Sequence, residues 1–249
     1  MEENFTFTYL PGAVFKTTQT REIQDLLTKW GLAQSMNLWK FRFDHAFNDL
    51  MSASFLSDLV NSPDVANVVA PIRTAKTRDS ISQLNYTELR TTQTSMDFFN
   101  FLEANRFADP SGYISKIIPD YFEEIEICDK IRQAILIEES ENYELLTENI
   151  RNEFLFRIFQ HITIGGGICQ YEDYTTPYMD VVKSLYKDLI SVGKDESGQL
   201  RISSKAYQLK NSQEFRLFTA EHPQDFLYVI VDQQNRHVNL WYHKWHGIW

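Results

Sequence analysis

Residues 226–245 read FLYVIVDQQNRHVNLWYHKW. Two runs rich in β-branched and aromatic side chains, Phe226 to Val231 and His237 to Trp245, flank the polar segment Asp232-Gln233-Gln234-Asn235-Arg236, the pattern of a β-hairpin. Arg201 to Leu209 and Glu214 to Thr219 upstream also read as strands, so the C-terminal part is expected to be an antiparallel sheet. Before them the spacing turns helical. Thr176-Pro177 supplies a cap and first-turn pair for a helix with Tyr178, Val181, Val182, Leu185, Tyr186 and Leu189 inward. Asn149 or Thr147 can cap another, carrying Ile150, Phe154, Leu155, Ile158, Phe159 and Ile162 on an apolar surface wide enough to require burial, with Gly165-Gly166-Gly167 as its stop.

Further outward, Phe5, Phe7 and Tyr9 alternate with Thr6 and Thr8 as a strand does, and Pro11-Gly12 turns the chain. Ile23, Leu26, Leu27 and Trp30 share a helix face behind Thr20, with Gly31 as the stop. Trp39, Phe41 and Phe43 share a strand face, and Phe47, Leu50 and Met51 open a helical stripe that Asn61-Ser62-Pro63 ends. From Asp64 to Thr94 the pattern fades: Val65, Val68 and Val69 could start a strand, and the polar remainder reads as a flexible loop. Helical spacing returns at Phe98, Phe99 and Leu102. The expectation is a single α+β domain over residues 1–249, with a largely helical middle, a flexible loop at 64–94 and a C-terminal antiparallel β-sheet.

The chain has 249 residues, 43% hydrophobic and 23% charged, proportions of a packed globular protein. Its 24 Lys and Arg against 34 Asp and Glu give a net charge of −10, which disfavours nucleic acid as a partner. The negative charge concentrates between residues 120 and 148, at Asp120, Glu123, Glu124, Glu126, Asp129, Glu138, Glu139, Glu141, Glu144 and Glu148, opposed there only by Lys130 and Arg132. Two readings stand: a solvated helical face, or a docking patch for a basic partner in which Glu138, Glu139 and Glu141 take part. Two cysteines, Cys128 and Cys169, make neither a disulfide framework nor paired zinc spacing, which suits a reducing compartment. The Met1-Glu2-Glu3-Asn4 start lacks a secretory leader's basic and apolar regions, and no apolar run is long enough for a bilayer. The cytosol is the expected compartment, with no membrane partner.

Several residues invite chemistry. The triplet Gly165-Gly166-Gly167 lacks the following Lys and hydroxyl of a phosphate loop, and a helix stop with close backbone approach explains it. Glu172 and Asp173 could act as acid and base, yet adjacent side chains usually point apart, and bonding to turn amides is the plainer role. A His161 and Cys169 thiolate pair lacks any local activating context. His237, His243 and His246 form a weak metal candidate, because 237 and 243 have equal parity on a strand; packing among Trp241, Tyr242, Trp245 and Trp249 is the alternative. No cofactor or catalytic residue is expected.

Glu153-Phe154-Leu155-Phe156, Gly165-Gly166, Cys169-Gln170-Tyr171-Glu172-Asp173 with Pro177-Tyr178, Tyr186-Lys187-Asp188-Leu189 and Ser191-Val192 follow in order. Together they resemble the cilia- and flagella-associated protein 300 family. The resemblance continues through Ile230-Val231-Asp232, Arg236-His237 and Tyr242-His243, and reaches back through Ser95-Met96, Phe98-Phe99, Ser111-Gly112, Ser140-Glu141 and Tyr143-Glu144. It implies a cytoplasmic and ciliary, non-catalytic factor that helps assemble outer and inner axonemal dynein arms. The implied partners are dynein assembly factors, dynein subunits and intraflagellar transport machinery. Gly165, Gly166, Cys169, Gln170, Tyr171, Glu172 and Asp173 are the candidate partner-binding motif. Two other classes stay open: an enzyme or cofactor-binding protein of unfamiliar α+β fold using that motif or the C-terminal histidines, and a structural component of the axoneme.

Overall fold

The computed structural model describes residues 4–13, 15–194 and 197–247. Trp249 and the first three residues of the acidic start lie outside them. Ten strands run in chain order: β1 (Phe7–Tyr9), β2 (Met36–Phe43), β3 (Asn85–Leu89), β4 (Lys116–Phe122), β5 (Ile125–Asp129), β6 (Val192–Lys194), β7 (Leu200–Ile202), β8 (Ser204–Lys210), β9 (Phe226–Asp232) and β10 (His237–His243) among the described residues. The helices there are α1 (Arg21–Lys29), α2 (Ser52–Asn61), α3 (Pro63–Val68), α4 (Ala70–Ala75), α5 (Phe101–Ala104), α6 (Lys130–Leu136), α7 (Glu141–Glu144), α8 (Glu148–Arg151), α9 (Phe154–Ile164) and α10 (Thr175–Leu189).

The expected hairpin is the centre of a six-stranded antiparallel sheet, ordered β1-β2-β10-β9-β8-β3. In β9, Phe226, Tyr228 and Ile230 face one apolar core, built with α9, α10 and α1. Leu227, Val229 and Val231 face a second, built with α2, α3 and α4. Both faces of the sheet are therefore covered, which is why every residue of β9 is buried and the strand reads as an apolar run from Phe226 to Val231. The α+β class with a C-terminal antiparallel sheet holds, and β1 and β2 extend that sheet from the other end of the chain.

Several local expectations change. Val65 begins no strand: the Ser62 hydroxyl accepts from the Val65 N–H at 3.4 Å, Pro63 occupies the first turn, and α3 and α4 follow. β3 also falls within 64–94, so that segment is not one loop. Its polar part bonds to Glu214, whose carboxylate accepts from the Ser82 N–H at 2.8 Å and the Gln83 N–H at 3.2 Å. Glu214 to Thr219 makes only an isolated bridge between Phe215 and Lys76, because Glu214 faces that loop and not a neighbouring strand. Leu50 is 98% exposed in a 3₁₀ turn capped by Asn48, and the buried stripe starts later, at Phe55, Leu56, Leu59 and Val60.

The helix expected from residue 147 or 149 to 164 is broken in two. Thr147 caps α8, but Glu153 leaves the helix because the Arg90 N–H donates to the Asn152 carbonyl and the Phe154 N–H to the Arg90 carbonyl, both at 2.8 Å. α9 restarts at Phe154. The acidic stretch also divides: Asp120, Glu123, Glu124 and Glu126 belong to the β4–β5 hairpin and its turn, whereas Asp129 is fully buried against Arg132. It is not one helical face.

Candidate functional site

The motif from Gly165 to Asp173 straps the end of α9 across the end of α1. A helix leaves its last carbonyls without partners. Here the strap supplies them, with the Gly166 N–H donating to the Trp30 carbonyl at 2.8 Å and the Gln170 N–H to the Lys29 carbonyl at 3.1 Å. Gly31 ends α1 at φ +69°, and a Cβ there would collide with the Ile168 carbonyl. A Cβ on Gly166 would collide with the Gly31 carbonyl in return. The two backbones pass too closely for any side chain.

Replacing Gly31 with Ala combines an unfavourable φ with that collision and should cost about 2–3 kcal/mol of stability. Urea unfolding monitored by far-UV circular dichroism measures it. A loss below about 0.5 kcal/mol would show that the strap does not need the close approach.

Two polar side chains of the strap, Tyr171 and Glu172, turn inward. Glu172 Oε1 accepts from Lys29 Nζ at 2.6 Å and from the Trp30 indole N–H at 3.0 Å, and the Glu172 N–H donates to the Tyr178 hydroxyl at 2.9 Å. The Tyr171 ring lies 3.5 Å from the Arg132 guanidinium, a stacked cation–π contact. Arg132 is itself buried, paired with Asp129 at 2.5 Å, and donates to the Thr163 carbonyl at 3.1 Å. Burial pushes the Cys169 thiol and the Tyr171 hydroxyl each up to about 12. Neither is a nucleophile or acid near neutral pH.

The outward side is formed by Ile168, 71% exposed, with Gln170, Asp173 and Tyr174. Asp173 meets Lys116 Nζ at 2.6 Å, a bond that holds its carboxyl below the usual carboxylate range. Glu172 and Asp173 thus take opposite directions with different cations. Tyr174 packs edge-on against Tyr113, ring centroids 5.5 Å apart, and both rings are partly open to solvent. Lys29, Lys116 and Gln224 escaped the sequence reading, which placed Trp30 only on a helix face and Arg132 only among the charges. Asp129 and Arg132, three apart at the start of an apolar helix, were a readable ion pair; the others meet the strap only through tertiary structure.

The remaining candidates lie elsewhere. Glu138 and Glu139 are exposed on the turn between α6 and α7 and Glu141 at the start of α7, and Glu138 accepts from the Tyr143 hydroxyl at 3.4 Å. His237 and His243 share a sheet face, as their parity implies, but six residues of strand separate them by roughly 20 Å. His243 Nδ1–H donates to the Gln224 carbonyl at 2.6 Å inside the core, and His246 is exposed. The three do not converge, and no group of His, Cys, Asp or Glu among the described residues has metal-binding geometry. Likewise, His161 does not pair with Cys169. Gln224 Nε2 donates to the His161 and Gly165 carbonyls, so its Oε1 accepts from His161 Nδ1–H at 2.6 Å. His161 Nε2 then accepts from the Tyr228 hydroxyl at 2.8 Å. Gln224 ties the core to the start of the strap.

No helix among the described residues is long and apolar enough to cross a membrane. The chain matches the family model described as "Cilia- and flagella-associated protein 300" over residues 4–243. It is 33% identical over 230 residues to a protein of that description from Paramecium tetraurelia, covering 92% of this chain and 90% of that one. Against the protein of the same description from Chlamydomonas reinhardtii it is 29% identical over 238 residues, covering 91% and 93% respectively. No solved structure matches significantly. A match that takes in the sheet, both cores and the strap together leaves one conclusion: the chain belongs to the cilia- and flagella-associated protein 300 family.

Proposed function

We propose that this protein is a non-catalytic cytoplasmic factor for the assembly and ciliary delivery of outer and inner axonemal dynein arms. Its partners in this reading are dynein assembly factors and dynein subunits, with intraflagellar transport machinery as the carrier. Membership of a cilia- and flagella-associated family supports the setting. One observation carries the adaptor reading: Cys169, Tyr171 and Glu172 are engaged within the fold, while Ile168, Gln170, Asp173 and Tyr174 of the same strap are presented to solvent. Such an arrangement suits recognition by contact, since exposed aromatic and branched side chains on a rigid support make good interface anchors.

The test is affinity purification of the tagged full chain from the cytoplasm of cells regrowing cilia, with quantitative mass spectrometry. Enrichment of axonemal dynein chains and their assembly factors is expected; their absence would sink the adaptor reading. A variant with Ile168→Ser and Asp173→Ala should lose those partners by roughly tenfold while its stability changes by less than about 1 kcal/mol. Undiminished recovery would move the interface off the strap. The acidic α6–α7 turn is a separate arm: reversing Glu138, Glu139 and Glu141 to Lys weakens a salt-sensitive complex if that turn docks a basic partner.

A further inference from the structure

The described surface of this acidic chain contains a basic groove. It has a volume of about 580 Å³ and is lined by Arg73, Lys76 and Arg78, with Thr77, Asn61 and Asp79 beside them. Asn61 ends α2, Arg73 lies on α4, and Lys76 to Asp79 follow α4 into the loop held by Glu214. Arg78 is paired there, at 3.1 Å from Glu214. Arg73 and Lys76 have no ion-pair partner among the described residues.

Lys76 contrasts with Lys116, Lys205 and Lys29, each of which has a carboxylate beside it. Burial opposes the charge on Lys116 and Lys205 too, but Asp173 beside the first, and Asp49 and Glu88 beside the second, raise their pKa values overall. Lys29 has Glu172 at 2.6 Å. At Lys76 only burial acts, and its pKa is lowered. A partly desolvated cation without a counter-charge is a position that an incoming anion would stabilise.

We infer that this groove binds a carboxylate-rich peptide segment of a protein partner, through Arg73 and Lys76 with Arg78 at its border. The neutral donors around it favour this class over a compact phosphate. Thr77 Oγ1 donates to the Glu214 carbonyl at 3.0 Å, and the Asn61 side-chain N–H donates to the Ile81 carbonyl at 2.8 Å. Tight phosphate sites surround the anion with converging hydrogen-bond donors. What this groove offers instead is long-stemmed cations from three positions along the chain, which suit carboxylates spaced along a peptide. The inference stands apart from the dynein-assembly reading, because it rests on the groove and not on the strap.

The test uses the purified full chain and a fluorescein-labelled peptide of six glutamates, followed by anisotropy. Binding should weaken by roughly tenfold between about 50 and 300 mM salt. Arg73→Glu with Lys76→Glu should weaken it by roughly tenfold or more, whereas Lys183→Glu, an exposed position on α10, should leave it unchanged. Because the protein as a whole repels polyanions, any binding that depends on residues 73 and 76 reports this groove. Absence of binding at low salt, or equal loss in the Lys183 variant, overturns the proposal. Displacement of the peptide by inorganic phosphate at matching ionic strength would replace the peptide with a phosphate ion as occupant, and also overturns it. Should the reversal variant fail to fold by circular dichroism, Arg73→Gln with Lys76→Gln provides the same comparison.

Discussion

Lowering the pH from 7 to 5 should destabilise this protein by roughly 5 kcal/mol, before most carboxylates titrate. Burial pushes the pKa of His161 down to about 3, and those of His222 and His243 down to about 4. In the unfolded chain each imidazole titrates near pH 6.5. The native state therefore holds them neutral while the unfolded state takes up protons, so their stabilisation is complete above about pH 6.5 and is lost as the pH falls towards 4. Each group contributes about 1.4 kcal/mol per pH unit inside that window. Asp225 acts in the opposite sense, because burial raises its pKa, and offsets part of the loss. Urea unfolding at pH 7, 6 and 5 measures the slope, and His161→Phe should flatten it by about one proton. A stability that stays level from pH 7 to 5 would mean that the histidines are not held neutral by the fold.

Removing the charge of Asp129 should cost about 3–5 kcal/mol, because Arg132 would remain buried without its counter-ion. Asp129 has two roles that substitution separates. Its Oδ1 accepts from the Arg132 N–H at 3.0 Å and caps α6, and its other oxygen meets the guanidinium. Asp129→Asn keeps a good cap and deletes the charge; Asp129→Ala deletes both and should cost about 1 kcal/mol more. For a chain of this length the loss corresponds to a melting temperature lower by roughly 10 °C. Arg132 also stacks on Tyr171, so the variants should loosen the strap, seen as faster amide exchange at Gln170 and Glu172. Both variants melting with the wild type would show that the pair is hydrated and that the strap is anchored elsewhere.

These effects bear on how much could be read in advance. The β9–β10 hairpin, the core of α9, α10, and the α1 stop at Gly31 were legible from local periodicity and, for the hairpin and the stop, from a local punctuating segment; α10 starts at Thr175 behind Tyr174, not at a Thr176 cap. The strap was legible as a motif, but the direction of its side chains was not. Glu172 finds the Trp30 indole across 142 positions of sequence, and Tyr171 finds Arg132 from another helix. Nothing local distinguishes the inward Glu172 from the outward Asp173. The histidines show the same limit: equal parity put His237 and His243 on one face, while the rise of the strand held them apart.

By itself, the order of residues determined the α+β class, the C-terminal antiparallel pairing, the principal helices and the family resemblance, all properties of spacing along one chain. Only the tertiary structure decided that helices cover both faces of the sheet, that α8 and α9 break where Arg90 inserts its hydrogen bonds, and that Asp129 leaves the acidic surface for the core. The physical reason is that periodicity records which side chains must leave water, whereas the partner that covers them is chosen by packing and by the pairing of buried polar groups between distant segments.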